Sequence, residues 1–155
     1  MPDLENDGQQ VTTEETIELL RHFALFEGVD EASLRNFVEH AQEFEFQQGH
    51  AIAREGQVGT GMYLILTGTV NIVRHGVEVD TAGPGEILGE LSLLDRAPRI
   101  ATLIARDDIV CLGIASWHLD TVFNQPELAE RLKQVEEKHR RAAAEGIPTK
   151  PNMSV

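Results

Sequence analysis

A carboxylate and a guanidinium lie close together in residues 85–102, the segment richest in chemical information. Glu90 directly follows Gly89 at the head of a short apolar run, and Arg99 comes nine residues later, just before an apolar strand. A carboxylate accepts hydrogen bonds from hydroxyl groups, whereas a guanidinium binds phosphate through a bidentate fork. Glycine lets a backbone N–H approach a ligand closely. The segment therefore has the groups needed to hold a sugar at one side and a phosphate at the other.

Both side chains also have a structural interpretation. Glu90 could cap a helix or pair with Arg99, because a buried carboxylate without a partner is costly. Arg99 could form a surface salt bridge, and the neighbouring Arg96 is expected to be an ordinary surface residue. Arg99 differs from Arg96 in following Pro98, whose ring restricts the backbone. We therefore keep Glu90 and Arg99 as the binding candidates.

The middle of the chain has the pattern of short strands. Apolar and polar residues alternate from Phe44, and strand-like runs recur as far as Ile114, with glycines between them roughly every 7–10 residues. This spacing predicts an all-β sandwich or barrel. The pairs His75-Gly76 and Thr67-Gly68 are predicted to form tight hairpin turns.

Helical patterns flank the strands. Thr12 and Glu15 have the spacing of a capping box, which predicts a first helix to about Leu25, and Asp30 is a candidate cap for a second. The last helix is predicted from Pro126 to about residue 144. Its apolar stripe is too narrow for a long dimer seam, which favours a lid helix. The stripe consists of Leu128, Leu132, Val135 and His139.

Composition narrows the possible partners and location. The chain has 155 residues, is 41% hydrophobic and carries a net charge of −13, which indicates one domain that nucleic acid would repel. Twelve acids against two arginines give residues 1–48 a charge of −10, either for solubility or as a docking face for a basic partner. Cys111, the single cysteine, is interpreted as a buried hydrophobe. We see neither a membrane span nor a signal peptide and expect a cytoplasmic protein.

Residues 85–102 resemble the phosphate-binding cassette of the cyclic-nucleotide-binding domain. This domain occurs in the bacterial catabolite activator protein, in protein kinase A regulatory subunits and in cyclic-nucleotide-gated channels. The family pattern Gly-Glu-x-(Ala/Ser)-Leu, then Arg-x-Ala-(Thr/Ser), is matched at residues 89–93 and 99–102. A second signature matches from Phe46 to Val70, with glycines at its expected positions. Leu88, where the family often has Phe, is a mild departure. The resemblance covers roughly residues 15–145.

The resemblance implies a fold that is mostly β with flanking helices. It would be an antiparallel β jelly-roll (double-stranded β-helix) barrel with N-terminal helices and a C-terminal hinge and lid helix. The domain would span residues 13–145, between flexible tails at 1–12 and 146–155. The implied function is that of a non-catalytic sensor that binds cAMP, or alternatively cGMP, without a metal. It would signal by movement of the last helix, about a hinge near residues 124–126, to a separate protein effector. We expect a monomer or weak homodimer, with neither nucleic acid nor membrane as a partner.

The resemblance also implies the roles of individual residues. Glu90 would accept a hydrogen bond from the ribose 2′-hydroxyl, and Arg99 would pair with the cyclic phosphate. Thr102 would lie near the base or phosphate, and residues 131–135 would cap the base. The implied ligand-binding set is Gly89, Glu90, Leu91, Ser92, Arg99, Ile100, Ala101 and Thr102.

Other functions remain open at this point. The same fold could serve as a structural or protein-interaction domain that no longer binds nucleotide, or the chain could be a fragment of a longer transcription regulator. The ten residues after the last helix leave no room for a helix-turn-helix reader within this sequence. A cupin-type metalloenzyme would need His-x-His, whereas the six histidines here are scattered. A serine hydrolase would need a nucleophile elbow, and the sequence has none.

Overall fold

A computed structural model describes residues 12–145, except for the side chains of Leu93 and Glu145. The predicted tails therefore lie outside the described residues, apart from Thr12. The helices are α1 (Thr13–Leu20), α2 (Glu31–Glu39), α3 (Glu90–Asp95), α4 (Leu119–Val122) and α5 (Pro126–Glu145), with 3₁₀ turns at Ala24–Phe26 and Ser116–His118. The strands are β1 (Gln42–Phe46), β2 (Ala51–Ala53), β3 (Gly61–Thr67), β4 (Val70–Arg74), β5 (Val77–Ala82), β6 (Ile87–Leu88), β7 (Thr102–Ala105) and β8 (Ile109–Ala115).

The strands form two four-stranded antiparallel sheets, in the orders β1-β8-β3-β6 and β2-β7-β4-β5. Strands that follow one another in the chain mostly lie in different sheets, so the chain crosses repeatedly between them. This arrangement, with helices at both ends of the chain, confirms the predicted antiparallel jelly roll with flanking helices.

One predicted hairpin turn is confirmed and the other is wrong. His75 and Gly76 join the paired strands β4 and β5, and both take positive φ angles, of 52° and 80°, as a two-residue hairpin turn requires. Thr67 and Gly68 instead connect β3 to β4, which belong to different sheets. The glycine, with φ 93°, carries the chain across the barrel. A local turn signal reports a reversal of the chain but not which strands pair.

The first helix is capped as predicted but is shorter than expected, whereas Asp30 stands before α2 without a side-chain hydrogen bond to the helix backbone and accepts the Ser33 hydroxyl instead, at 2.7 Å. The Thr12 hydroxyl accepts the Glu15 N–H at 3.1 Å, and the Glu15 carboxylate accepts the Thr12 N–H at 2.9 Å. Helix α1 ends at Leu20 rather than near Leu25, because the backbone at Phe23 is extended and the following 3₁₀ turn directs Leu25 into the core.

The core has two parts, and the larger one fixes the start of α5. Leu128 and Leu132 of α5 are buried together with side chains of α1, α2, β3 and β8. Burying such a side chain contributes about 1.5–3 kcal/mol relative to exposing it, so the first half of α5 is held against the barrel. The second part lies between the sheets and includes Cys111, which is fully buried as predicted.

Candidate functional site

Gly89 places Glu90 on the wall of a cavity that strands β4–β7 and helices α3 and α5 line. Strand β6 ends at Leu88, and Gly89 turns the chain into α3 with φ 84°, a left-handed conformation that favours glycine. A Cβ atom at Gly89 would lie 2.6 Å from Nη1 of Arg99. Glycine is therefore required here both for the turn and for the close approach of the guanidinium.

Glu90 is almost completely buried, with 1% of its surface exposed. A buried carboxylate needs a partner, and the partner is His139 of α5. Nδ1 of His139 lies 2.5 Å from Oε2 of Glu90. The alternative in which Glu90 pairs with Arg99 is therefore wrong. One carboxylate oxygen of Glu90, Oε2, faces the last helix.

Backbone carbonyl groups hold Arg99 in place. Its Nη2 donates to the carbonyl oxygen of Gly61 at 3.0 Å and its Nη1 to that of Gly89 at 3.5 Å, while the guanidinium carbon lies 5.8 Å from the centre of the Tyr63 ring. None of the ion pairs seen in residues 12–145 includes Arg99. Its charge is thus oriented by neutral groups and remains able to attract an anion.

A short bridge fixes the backbone that carries Arg99. Val58 and Pro98 form an isolated antiparallel β-bridge, and the N–H of Arg99 donates to the carbonyl of Gln57 at 2.8 Å. The carbonyl of Arg99 accepts the N–H of Gly56 at 2.9 Å. The glycine-rich segment before β3 therefore fixes the backbone position of Arg99.

Ser92 and Thr102 use their hydroxyl groups inside the protein. The Ser92 hydroxyl accepts the Gly59 N–H at 3.0 Å and donates to the carbonyl of Ala97. The Thr102 hydroxyl accepts the N–H of Glu55 at 3.0 Å. These contacts connect the loops around the site to each other. Because the Ser92 hydroxyl is used in this way, the donors that remain near the start of α3 are backbone N–H groups.

The cavity of about 120 Å³ brings most of the predicted residues together. All of the implied ligand-binding residues line it except Thr102. The remaining lining residues come from β4, β5, β7 and α5, beside Leu88 of β6. They are Ile72, Arg74, Val79, Asp80, Leu103, His139, Ala142 and Ala143.

The last helix reaches the site further along its length than predicted. His139, Ala142 and Ala143 line the cavity. Arg131 lies elsewhere and donates to the carbonyl oxygens of Leu25 and Glu27 at 3.0 and 2.6 Å. That a residue between 131 and 135 caps the base stays a prediction, and Arg131 does not line the cavity in this structure. Leu128 and Leu132 direct that part of α5 into the core, and the site is reached two turns later.

A second ionic contact joins α5 to α3. Arg140 donates to both carboxylate oxygens of Asp95, at 2.7 and 2.5 Å, and also bonds Glu136. The hydrogen bonds from Arg140 hold the pKa of Asp95 below its ordinary value. Arg74 of β4 adds a longer contact, from Nη1 to the carbonyl of Ala143, at 3.4 Å.

Sequence reasoning missed His139 and Arg74 as site residues. The position of His139 on the apolar stripe of α5 was a usable signal, because a titratable residue on a buried stripe needs a polar partner. Arg74 gave no local signal, since it is one arginine beside a hairpin turn.

Within residues 12–145 no cluster of three or more His, Cys, Asp or Glu side chains could hold a metal ion. None of the helices in that range is long and apolar enough to cross a membrane. The cavity itself offers a buried acceptor in Glu90, an oriented donor in Arg99 and a largely apolar wall.

Comparison with known proteins gives a consistent match. The family model described as "Cyclic nucleotide-binding domain" matches residues 43–125. A cAMP-dependent protein kinase regulatory subunit from Yarrowia lipolytica is 36% identical over 101 residues, covering 65% of this chain and 26% of the relative. A CRP-like cAMP-activated global transcriptional regulator from Mycobacterium tuberculosis is 30% identical over 128 residues, covering 76% of this chain and 55% of the relative.

Solved structures agree with these sequence matches. The catabolite activator protein of Thermus thermophilus superposes with a TM-score of 0.69 at 27% identity, over 79% of this chain and 60% of that one. The chain thus spans about a quarter of the kinase regulatory subunit and just over half of the transcriptional regulator.

Proposed function

The chain belongs to the cyclic nucleotide-binding domain family, and on that basis we propose that it binds a 3′,5′-cyclic purine nucleotide as a non-catalytic regulatory module. The expected ligand is cAMP, because the relatives that it resembles are named for cAMP. The observation that carries the proposal is that the buried carboxylate of Glu90 and the guanidinium of Arg99 line one cavity without pairing with each other.

Each polar part of a cyclic nucleotide has a counterpart in this cavity. The second oxygen of Glu90 accepts a hydrogen bond from the ribose 2′-hydroxyl, and Arg99 pairs with the charged phosphate. The backbone N–H groups at the start of α3 and at Ala101 add donors to the phosphate. The hydroxyl of Ser92, already bonded within the protein, orients this loop instead of the ligand.

The output of the module is a change in the contacts of α5. Three side chains join the end of this helix to the binding loop and barrel: His139 to Glu90, Arg140 to Asp95 and Arg74 to Ala143. A ligand that contacts Glu90 alters the first of these directly. Movement of the helix about residues 124–126 then changes the surface offered to a separate protein effector.

Calorimetric titration of the purified chain with cAMP and cGMP tests the proposal. We expect saturable binding of at least one nucleotide, which is lost in an Arg99→Ala, Glu90→Ala double variant that keeps its fold by circular dichroism. No heat and no thermal stabilisation with either nucleotide at millimolar concentration would rule the proposal out.

One observation favours a second candidate, an interaction domain that keeps the fold without binding nucleotide. His139 already occupies an oxygen of Glu90, the residue that would hold the ribose. Titration of a His139→Ala variant separates the two candidates. If neither the wild-type chain nor this variant binds, the interaction domain is favoured, whereas binding by the variant alone would show that His139 blocks a competent site.

A further inference from the structure

A second groove adjoins the proposed binding cavity, and the proposed function does not use it. It lies between the 3₁₀ turn at Ala24–Phe26, the start of β6 and helix α5, and its volume is about 440 Å³. We call it the α5 groove. His139 lines both this groove and the cavity that contains Glu90 and Arg99. A change at Glu90 that moves His139 therefore also changes the groove.

All three walls of the α5 groove contribute apolar surface. Leu25 belongs to the turn, Ile87 to β6 and Val135 to α5, where it is half-buried. Apolar surface that is rimmed by polar side chains is typical of an interaction site. The groove can therefore accommodate an apolar side chain of a partner. Most of its polar rim comes from α5, as Arg131, Gln134, Lys138 and His139.

Arg131 holds one end of the groove together. Its Nη1 donates to the carbonyl oxygens of Leu25 and Glu27 at 3.0 and 2.6 Å, and its Nη2 lies 3.5 Å from a carboxylate oxygen of Glu127. These contacts join the first half of α5 to the turn. The Arg131 guanidinium thus fixes the width of the groove and is not available as a docking charge.

Lys138 supplies the available positive charge of the groove. Its side chain is exposed and takes part in none of the ion pairs seen among residues 12–145. Arg141, on the same face of α5, is likewise exposed and outside those ion pairs. The acid that lines the groove, Glu86, already accepts the N–H of Gly83 at 2.9 Å. An acidic group that enters the groove therefore meets two cations whose charges are available.

The charge of this part of α5 is opposite to that of the whole protein. The chain carries −13, whereas residues 131–141 carry +3, with five Lys and Arg side chains against two Glu. Exposed charges act mainly within a Debye length, about 8 Å at physiological ionic strength. A segment that docks in the groove therefore senses the cations of α5 more strongly than the distant acids. The groove is complementary to an acidic partner.

We propose that the α5 groove is the docking surface for the effector, and that the effector segment combines acidic side chains with an apolar one. The acids pair with Lys138 and Arg141, and the apolar side chain lies against Val135. This inference rests on the proposed function, because it assigns a site to the effector which that function requires. Since His139 lines both the groove and the cavity, nucleotide and effector each change the affinity for the other, by the same factor.

Fluorescence anisotropy with labelled synthetic peptides tests the inference. The acidic probe carries glutamates and leucines at helical spacing. In the basic probe lysine replaces each glutamate, and in the polar probe serine replaces each leucine. We expect saturable binding of the acidic probe alone, with an affinity that changes when saturating cAMP is added.

Two lysine variants locate the contact. Lys138→Glu should weaken binding of the acidic probe about fivefold to tenfold, because an attractive pair becomes a repulsive one. Lys133→Glu is the matched control, since it makes the same charge change at an exposed position of α5 outside the groove. It should alter the affinity by less than about twofold.

The outcomes separate this inference from the proposed function. Equal effects of the two lysine variants, equal binding of the basic or polar probe, or no saturable binding of the acidic probe would overturn the inference. An affinity that cAMP leaves unchanged, in a chain that calorimetry shows to bind cAMP, would overturn it as well. Self-association that Lys138→Glu abolishes, without binding of the acidic probe, would show that a second copy of the chain occupies the groove instead. If calorimetry detects no nucleotide binding, the proposed function fails, while the peptide titrations still decide whether the groove docks an acidic segment.

Discussion

Glu90 and His139 lie 2.5 Å apart, Oε2 to Nδ1, although 49 positions separate them in the sequence. Glu90 is the first residue of α3 and is 1% exposed, whereas the His139 side chain on α5 is 19% exposed. The contact joins the proposed ribose-binding group directly to the helix proposed to transmit the signal.

Arg99→Ala should lower the affinity for cyclic nucleotide by about tenfold to a hundredfold, because a charge-assisted hydrogen bond contributes about 1.5–3 kcal/mol. Calorimetric titration with cAMP measures the effect. Arg106→Ala removes the same charge from an exposed turn and serves as the control. Equal affinities of the two variants would contradict a phosphate-binding role for Arg99.

Glu90→Gln should weaken the preference for a ribose over a deoxyribose. The wild-type chain is expected to bind cAMP about tenfold more tightly than 2′-deoxy-cAMP, because a hydrogen bond to a charged group is lost in the deoxy compound. In the variant the difference should narrow, since an amide oxygen is a weaker acceptor than a carboxylate. A ratio that stays the same in both proteins would place the ribose away from Glu90.

Gly59→Ala should reduce affinity while leaving the fold intact. A Cβ at Gly59 would lie 2.3 Å from Nη2 of Arg99, the far end of a flexible side chain that can move away. We expect little change in thermal midpoint and a loss of about tenfold in cAMP affinity, equivalent to one charge-assisted hydrogen bond.

Gly76→Ala is the matched control for the effect of added bulk. Gly76 has φ 80° and no atom within 4 Å of an added Cβ, so alanine there should cost about 1 kcal/mol of folding stability and leave affinity unchanged. Gly89 has φ 84° and also lies close to Arg99, so Gly89→Ala should lower both the folding stability and the affinity for cyclic nucleotide. Loss of affinity in Gly76→Ala would show that strain in the barrel alone weakens binding.

His139→Ala should loosen the end of α5 in the absence of ligand. Hydrogen exchange of the amides in residues 139–145 should become faster, because the contact with Glu90 is lost, while exchange in β3 and β8 stays slow. His22→Ala, at an exposed position, is the control. Unchanged exchange at the end of α5 would mean that Arg140 and the packing of Leu128 and Leu132 are sufficient to hold it.

Cys111 should be unreactive in the folded chain. Burial, aided by the charge of Glu43, raises the pKa of its thiol from 9.0 to about 12, and the thiolate is the reactive form. At pH 8 a thiol reagent should label one equivalent in denaturant and almost none in buffer. Rapid labelling of the folded protein would contradict this.

The raised pKa also predicts the direction of a pH effect on stability. The folded state keeps Cys111 protonated, so its contribution to stability is complete below pH 9 and is lost as the pH rises toward 12. Denaturant titrations at pH 8 and pH 10.5 measure the free energy of unfolding. A Cys111→Ala variant should lack the part of its decrease between these pH values that Cys111 causes.

Local pattern was sufficient for the barrel and for half of the site. Runs of alternating apolar and polar residues, separated by glycines, predicted the strands, because a strand whose side chains point in turn to core and solvent leaves this pattern in the sequence. Glu90 and Arg99 were identified together because one short segment carries both. The turn at Thr67-Gly68 shows the limit of such patterns, since a turn signal contains no information about which sheet the next strand joins.

The amino-acid sequence by itself thus determined the fold class and the proposed binding loop with its two charged groups, since each depends on residues close in the chain. Only the tertiary structure decided what faces them. His139 and Arg74 reach the cavity because Leu128 and Leu132 fix α5 on the core and β4 pairs with β5 and β7. Such contacts depend on packing between distant segments, and a single sequence does not encode that packing as a local pattern.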